Sequence, residues 1–239
     1  MATLARPWTA SSLATARTAP SAEWPAVRRL GAALGRVFGT AWGRALVWIG
    51  CFVPMAWLAW NLWQAWQGLP HDLGKEPVEG LEHSTGEQAI RFLLLTLLVT
   101  PVRWLTGWSW LARYRRVLGL VMFAYASAHL ATWAALDLEL QWSEVATEIV
   151  KRPYLLVGFA AWLALVPLAV TSTAGWIRRL GGKRWNALHQ LTYTVVVLGM
   201  VHYWWSQKKD VSEPIAWGTA FAALLAWRVW RARGARENG

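Results

Sequence analysis

Three of the five histidines lie inside apolar segments of the chain, where an ionisable side chain is a candidate functional group. They are His129, His189 and His202. An imidazole in such a place can bind haem iron, relay a proton or ion, or simply hydrogen-bond between helices. The residue types alone leave these three alternatives open. The other two, His71 and His83, lie in a polar loop and are expected to be solvated histidines.

The depth of each histidine favours a pair. At about 1.5 Å of rise per residue, His129 lies about 10 Å, and His202 about 8 Å, from the ends of their apolar windows, so both can share one level. His189 lies about 20 Å from His202 along the axis. On one straight helix these two side chains would be rotated by about 140°, so they would not face one groove. Small residues that leave room for a flat macrocycle stand beside the pair: Ala126, Ala128 and Gly199.

These histidines need helices long enough to cross a bilayer, which takes about 20 apolar residues each. Four windows without a charged residue reach that length: 45–66, 117–136, 153–177 and 185–207. Two shorter ones, 92–102 and 214–227, are completed by flanking residues whose long basic side chains can reach the interface. We therefore predict an all-α integral membrane protein, a bundle of six transmembrane helices over residues 45–231. Pro101 is expected to end the second helix.

The charges alternate between the two ends of this predicted bundle. Counted over the loops and termini of one side there are 18 basic and 2 acidic residues, and over the other side 5 and 11. A basic excess marks the cytoplasmic side, so both termini are predicted to be cytoplasmic. The net charge of +11 is therefore explained by topology, and nucleic-acid binding is not expected.

Composition excludes several other classes of site and sets the domain limits. The chain is 56% hydrophobic and 15% charged, which does not suit a soluble or disordered protein. Its single cysteine, Cys51, excludes internal disulfides, thiolate-held iron–sulfur clusters and CxxCH haem attachment. Residues 1–44 are basic and are expected to form a disordered cytoplasmic extension, residues 139–150 a short surface helix, and residues 232–239 a cytoplasmic tail. No internal repeat is evident.

Several consecutive motifs resemble one family of membrane proteins. They are TLLVTPVRWL (96–105), RRVLGLVMFAYASAHLATW (115–133), KRPYLLVGF (151–159), LAVTS (168–172), RRLGGKRWNALHQLTY (178–193) and VHYWW (201–205). In this order they resemble the MsrQ (YedZ) family, the haem-binding membrane subunits of bacterial periplasmic methionine-sulfoxide reductase systems. That family falls within the wider ferric-reductase-like transmembrane family.

The resemblance implies a b-type cytochrome of the bacterial inner membrane. It would pass electrons outward to a periplasmic molybdopterin-containing reductase that repairs methionine sulfoxide in oxidised proteins. The implied electron donor is quinol or a cytosolic flavin reductase, and the implied cofactors are haem b, with one copy expected and a second possible, and FMN. The family's intramembrane histidines map onto His129, His189 and His202. His129 and His202 would hold an outer haem, and His189 would bind a second haem or lie at an electron entry point near the cytoplasm.

Arg115 stands where the wider family often carries a further histidine. A guanidinium has no free lone pair, so Arg115 cannot complete a second bis-histidine haem. It could contact a haem propionate or a flavin phosphate, or it could be one of the cytoplasmic anchoring charges.

Two other functions are compatible with the same residues. One is a stand-alone transmembrane haem reductase of ferric ion or another small acceptor. The other is a transporter with a histidine relay. No glycine-rich nucleotide motif follows the last predicted span, so we expect an electron-transfer subunit without a catalytic site of its own for the sulfoxide.

Overall fold

The computed structural model describes residues 24–207 and 210–237. Along this part of the chain run helices α1 (Pro25–Phe38), α2 (Ala41–Trp66), α3 (Pro77–Thr106), α4 (Tyr114–Thr132), α5 (Trp142–Lys151), α6 (Pro153–Val170), α7 (Ala174–His189), α8 (Leu191–Ser206) and α9 (Ser212–Glu237). A 3-10 turn, Ser109–Arg113, leads into α4, and a π turn, Trp133–Asp137, continues it. The predicted all-helical class is confirmed.

Four segments are long and apolar enough to cross a membrane: α2, α3, the stretch Ser109–Asp137 that contains α4, and α6. Helices α8 and α9 coincide with the last two predicted spans, but α8 has only 16 residues. The count of six spans and the orientation of the termini therefore stay predictions. Helix α5 lies where a short helix was expected over residues 139–150, and its location on the outer surface stays a prediction.

Helix α3 is much longer than the predicted span at 92–102. It runs through Pro101 and ends at Thr106, because the next residue, Gly107, adopts a left-handed conformation with φ of 72°. Its N-terminal half contains residues 77–88, which the sequence analysis placed in a loop. The extension carries Glu82 and Gly86 to the same depth as His129.

The predicted span at 185–207 is divided between two helices. Helix α7 ends at His189, and α8 begins after Gln190. The preceding span is shorter than expected as well, since α6 ends at Val170 rather than near residue 177. His189 and His202 therefore lie on different helices, which removes the geometric difficulty that a single straight helix would create.

The expectation of disorder up to residue 44 does not agree with the structure. Residues 25–38 form helix α1, which is anchored to the turn between α3 and α4. The indole nitrogens of Trp108 and Trp110 donate to the carbonyls of Val27 and Gly31 at 3.0 and 3.1 Å. These long-range hydrogen bonds order the segment, and no local sequence pattern reveals them. The expectation for residues 1–23 lies outside the described residues.

The bundle is built around two helix pairs that position the site. Helix α3 packs along α4, and α6 packs along α8; these are the most extensive interfaces between described helices. The buried core runs through both pairs and includes Leu97, Val121, Tyr125 and Val196. Tyr125 also donates a hydrogen bond to the Cys51 carbonyl at 3.0 Å, which ties α4 to α2.

Candidate functional site

His129 on α4 is seated against α3. Its Nδ1 lies 2.9 Å from the backbone carbonyl oxygen of Glu82. A carbonyl can only accept a hydrogen bond, so Nδ1 carries the hydrogen and Nε2 keeps the lone pair. One turn further along α3, Gly86 leaves the space that the ring occupies, because a β-carbon there would lie 3.2 Å from Nδ1.

His202 on α8 is seated in the same way against α6. Its Nδ1 lies 2.8 Å from the carbonyl oxygen of Tyr154, so Nε2 again keeps the lone pair. A β-carbon at Gly158 would lie only 2.6 Å from Nδ1, closer than real atoms approach. The Tyr154 ring also stacks on the imidazole, with centroids 6.2 Å apart.

The surroundings of His129 and His202 follow the same arrangement. In each, a carbonyl and a glycine four residues later lie on one face of a helix, as side chains at this spacing do. The carbonyl precedes its histidine by 47 residues in one case and by 48 in the other. The structure thus contains a repeated arrangement that the sequence analysis did not detect.

The two imidazoles meet at one cavity. Their ring centroids are 6.1 Å apart and the ring planes are inclined by 72°. The cavity wall is mainly apolar, and among its residues are Leu93, Met122, Ala126, Phe159, Leu165, Val195 and Gly199. Of the small residues expected beside the histidines, Ala126 and Gly199 line this wall.

This donor set fits a metal held between two neutral imidazoles. A metal–imidazole bond is about 2 Å long. Two such bonds, together with the distance from each ligating nitrogen to its ring centre, add up to a centroid separation comparable with the observed 6.1 Å. In each ring the other nitrogen, Nδ1, donates its hydrogen to a backbone carbonyl oxygen, the usual arrangement for a histidine that ligates a metal. The described residues contain no group of three or more His, Cys, Asp or Glu side chains that could hold a metal ion by themselves. The pair therefore suits a cofactor that supplies the remaining ligands, as haem does.

One end of the cavity is polar. Glu82, His83, Glu87, Ser206 and Gln207 line it there. The Oε1 atom of Glu82 is buried and has no hydrogen-bond partner. The polar end therefore carries acidic groups close to the two histidines.

His189 is not part of this cavity. Its Nε2 lies 3.2 Å from the Thr171 hydroxyl oxygen, and that hydroxyl gives its single hydrogen to the Pro167 carbonyl at 2.6 Å. Nε2 must therefore donate, which leaves the lone pair on Nδ1. The ring also stacks on Trp185, with centroids 3.8 Å apart. His189 thus has the opposite tautomer to His129 and His202.

Arg115 lies near His189 rather than near the histidine pair. It is exposed and interacts electrostatically with His189, Tyr193 and Arg228. Arg228 donates to the Leu97 carbonyl at 2.8 Å and to the Tyr193 hydroxyl at 3.0 Å. The structure therefore gathers a second, cationic group of residues, which includes Arg115 and Arg228.

The comparisons with known proteins first define the class. Residues 85–200 match the family described as "Ferric reductase like transmembrane component". This family, together with the long apolar helices, marks the chain as a multi-pass membrane protein. No solved structure matches the chain significantly.

More similar relatives define the family within that class. A protein of Xanthomonas euvesicatoria pv. vesicatoria is 50% identical over 195 residues, which cover 82% of this chain and 89% of the relative. One from Caulobacter vibrioides is 42% identical over 188 residues, 79% and 87% of the two chains. Both are named "Protein-methionine-sulfoxide reductase heme-binding subunit MsrQ". The chain belongs to this MsrQ family.

Proposed function

We propose that this chain is a b-type cytochrome, the electron-transfer subunit of a methionine-sulfoxide reductase system. The observation that carries the proposal is the pair of imidazoles at 6.1 Å, each held by a backbone carbonyl so that Nε2 is free. The relatives are named as heme-binding subunits, which supports the choice of haem as the group between the two imidazoles.

The residues of the chain prepare this site before any cofactor binds. The carbonyls of Glu82 and Tyr154 fix the tautomer and the orientation of the two rings. The apolar wall excludes water, and Gly86 and Gly158 let the two imidazole rings pack closely against helices α3 and α6. A haem bound there would supply one-electron transfer through its iron.

We propose outward electron transfer, which the resemblance to the MsrQ family implies and which agrees with the charge pattern. Under the predicted topology the termini are cytoplasmic, and the acidic loops, with the polar end of the cavity, face the periplasm. We assign the chain to the bacterial inner membrane on this basis. Electrons would leave at this end, toward a periplasmic molybdopterin-containing reductase.

The cationic group around Arg115 and His189 lies where electrons would be received. Quinol or a cytosolic flavin reductase is the donor that we propose, and Arg115 could hold the phosphate of an FMN or a haem propionate. A second haem on His189 would require its Nε2 to give up the hydrogen bond with Thr171. We therefore favour one haem, on His129 and His202.

Haem content per polypeptide tests the proposal. The purified protein should give about one haem by pyridine haemochrome assay. His129→Ala and His202→Ala should each lose most of it, because a haem ligated on one side is held weakly. His71→Ala is the matched control, since His71 lies in a loop outside the cavity.

Two results would contradict the proposal. One is a colourless protein prepared with ample porphyrin, which would favour a histidine-relay transporter. The other is wild-type haem content in both histidine variants.

The role of the partner is tested separately, by asking whether co-expression with a periplasmic molybdoenzyme restores reduction of methionine sulfoxide.

A further inference from the structure

Helix α1 leaves a large apolar face uncovered. Leu30 and Val37 are 53% and 55% exposed, and their spacing of seven residues places them on one face of the helix. Trp24, immediately before the helix, is 47% exposed. An exposed apolar face on an otherwise well-anchored helix indicates that something outside the described fold covers it.

A different face of α1 attaches to the protein. Gly31 is buried beneath Trp108, so that a β-carbon there would collide with the indole ring, and Gly35 faces Trp110. The indole hydrogen bonds to the carbonyls of Val27 and Gly31 lie on this same side. The attachment fixes the rotation of α1, so the exposure of Leu30 and Val37 is a defined feature of the fold.

The connection to α2 places α1 at one end of a membrane-spanning helix. Only Gly39 and Thr40 separate the two helices. The Thr40 hydroxyl donates to the Val37 carbonyl at 2.7 Å and accepts from the Gly43 amide at 3.0 Å, which fixes the turn. With 14 residues, about 21 Å, α1 is too short to cross a bilayer itself.

The charges of this segment are all positive. Residues 24–44 contain four arginines and no acidic residue. Arg28, Arg29 and Arg36 are all exposed. By helical position Arg28 lies opposite Leu30 and Val37, whereas Arg29 and Arg36 lie about 100° away and border the apolar face. A short helix with an apolar face and arginines beside and opposite that face is typical of one that lies in the plane of a membrane surface.

We propose that α1 is an interfacial helix, whose apolar face enters the acyl boundary of the bilayer while its arginines bind anionic lipid headgroups. Long arginine side chains can reach headgroups from a helix at this depth. This interaction surface does not depend on the haem site, and each of the two proposals can fail without the other.

Depth measurement on the full chain in proteoliposomes tests the proposal. Single cysteines at position 30, 37 or 29, in a Cys51→Ala background, carry a fluorescent label. The labels at positions 30 and 37 should be quenched strongly by a quencher on the lipid acyl chain and weakly by an aqueous quencher. The label at position 29 is the matched control and should show the reverse. Equal aqueous quenching at all three positions would overturn the proposal.

Protection from both quenchers at positions 30 and 37 would overturn it as well, because it would show that another part of this chain or a second copy covers the face.

A change of lipid composition then tests whether the arginines bind anionic headgroups. Acyl-chain quenching should increase when phosphatidylglycerol replaces part of the phosphatidylcholine, and replacing Arg28, Arg29 and Arg36 by Gln should abolish this increase. Quenching that is the same in both lipid compositions would overturn the assignment of anionic lipid.

Discussion

The imidazole of His202 lies directly against the backbone of Gly158, so closely that a β-carbon would come within 2.6 Å of Nδ1. The ring can occupy this position only because residue 158 has no side chain. The corresponding distance at Gly86, beside His129, is 3.2 Å, so His129 packs less tightly against its glycine than His202 does.

This difference predicts a graded response to one added methyl group. Gly158→Ala should displace His202 at a cost of about 1–3 kcal/mol, the usual range for overpacking, and should lose haem or its low-spin spectrum. Gly86→Ala should have a smaller effect. Gly50→Ala is the control, because nothing lies within 4 Å of a β-carbon there. Haem content and the visible spectrum of the three purified variants measure the series, and a full haem complement in Gly158→Ala would contradict it.

The contacts that orient the histidines come from the backbone, which yields a second prediction. Glu82→Gln and Tyr154→Phe keep the carbonyls that accept from His129 and His202, so both variants should retain haem. Tyr154→Phe also keeps the ring that stacks on His202. The same haemochrome assay checks this result. Loss of haem in both would mean that the side chains, rather than the carbonyls, hold the site.

His189 should behave differently from the other two histidines. Because its Nε2 donates to Thr171 and its ring lies on Trp185, His189→Ala should leave the haem spectrum unchanged while slowing electron uptake. Dithionite reduction followed in the visible range checks the spectrum, and turnover with the reductase partner checks the rate. Thr171→Val, which removes the partner of Nε2, is the companion variant. A loss of half the haem in His189→Ala would instead assign His189 to a second haem.

Much of this architecture could be predicted from composition and spacing. Apolar windows located the long helices, and the depth estimate placed His129 and His202 at one level, where the structure brings their rings together. Periodicity could not identify Gly86 and Gly158 as part of the site, because their role depends on which side chain of the neighbouring helix packs against them. For Gly86 the difficulty was greater, because residues 77–88 were predicted to be a loop, so nothing in the sequence placed Glu82 and Gly86 level with His129.

Local signals also misplaced several helix ends. Pro101 was expected to stop α3, yet the helix continues to the left-handed Gly107, because tertiary packing outweighs the loss of one backbone donor. Residues 25–38 have a composition typical of a disordered arm, and they are ordered by hydrogen bonds from Trp108 and Trp110, about 80 residues away in sequence. Contacts of such long range are not readable from local patterns.

The acidic residues near the polar end of the cavity predict how a redox partner is attracted. Glu79 lies in the first turn of α3, and Glu87 lines the cavity while forming an ion pair with Arg91. A partner with a basic docking face would be steered toward these charges, so its association rate should fall as ionic strength rises. Glu79→Gln should lower the rate at low salt and weaken its salt dependence without changing haem content. Arg178→Gln, at the predicted cytoplasmic side, is the control. Stopped-flow oxidation of the reduced protein by its reductase partner measures both effects, and a rate that is independent of salt would show that these carboxylates do not guide docking.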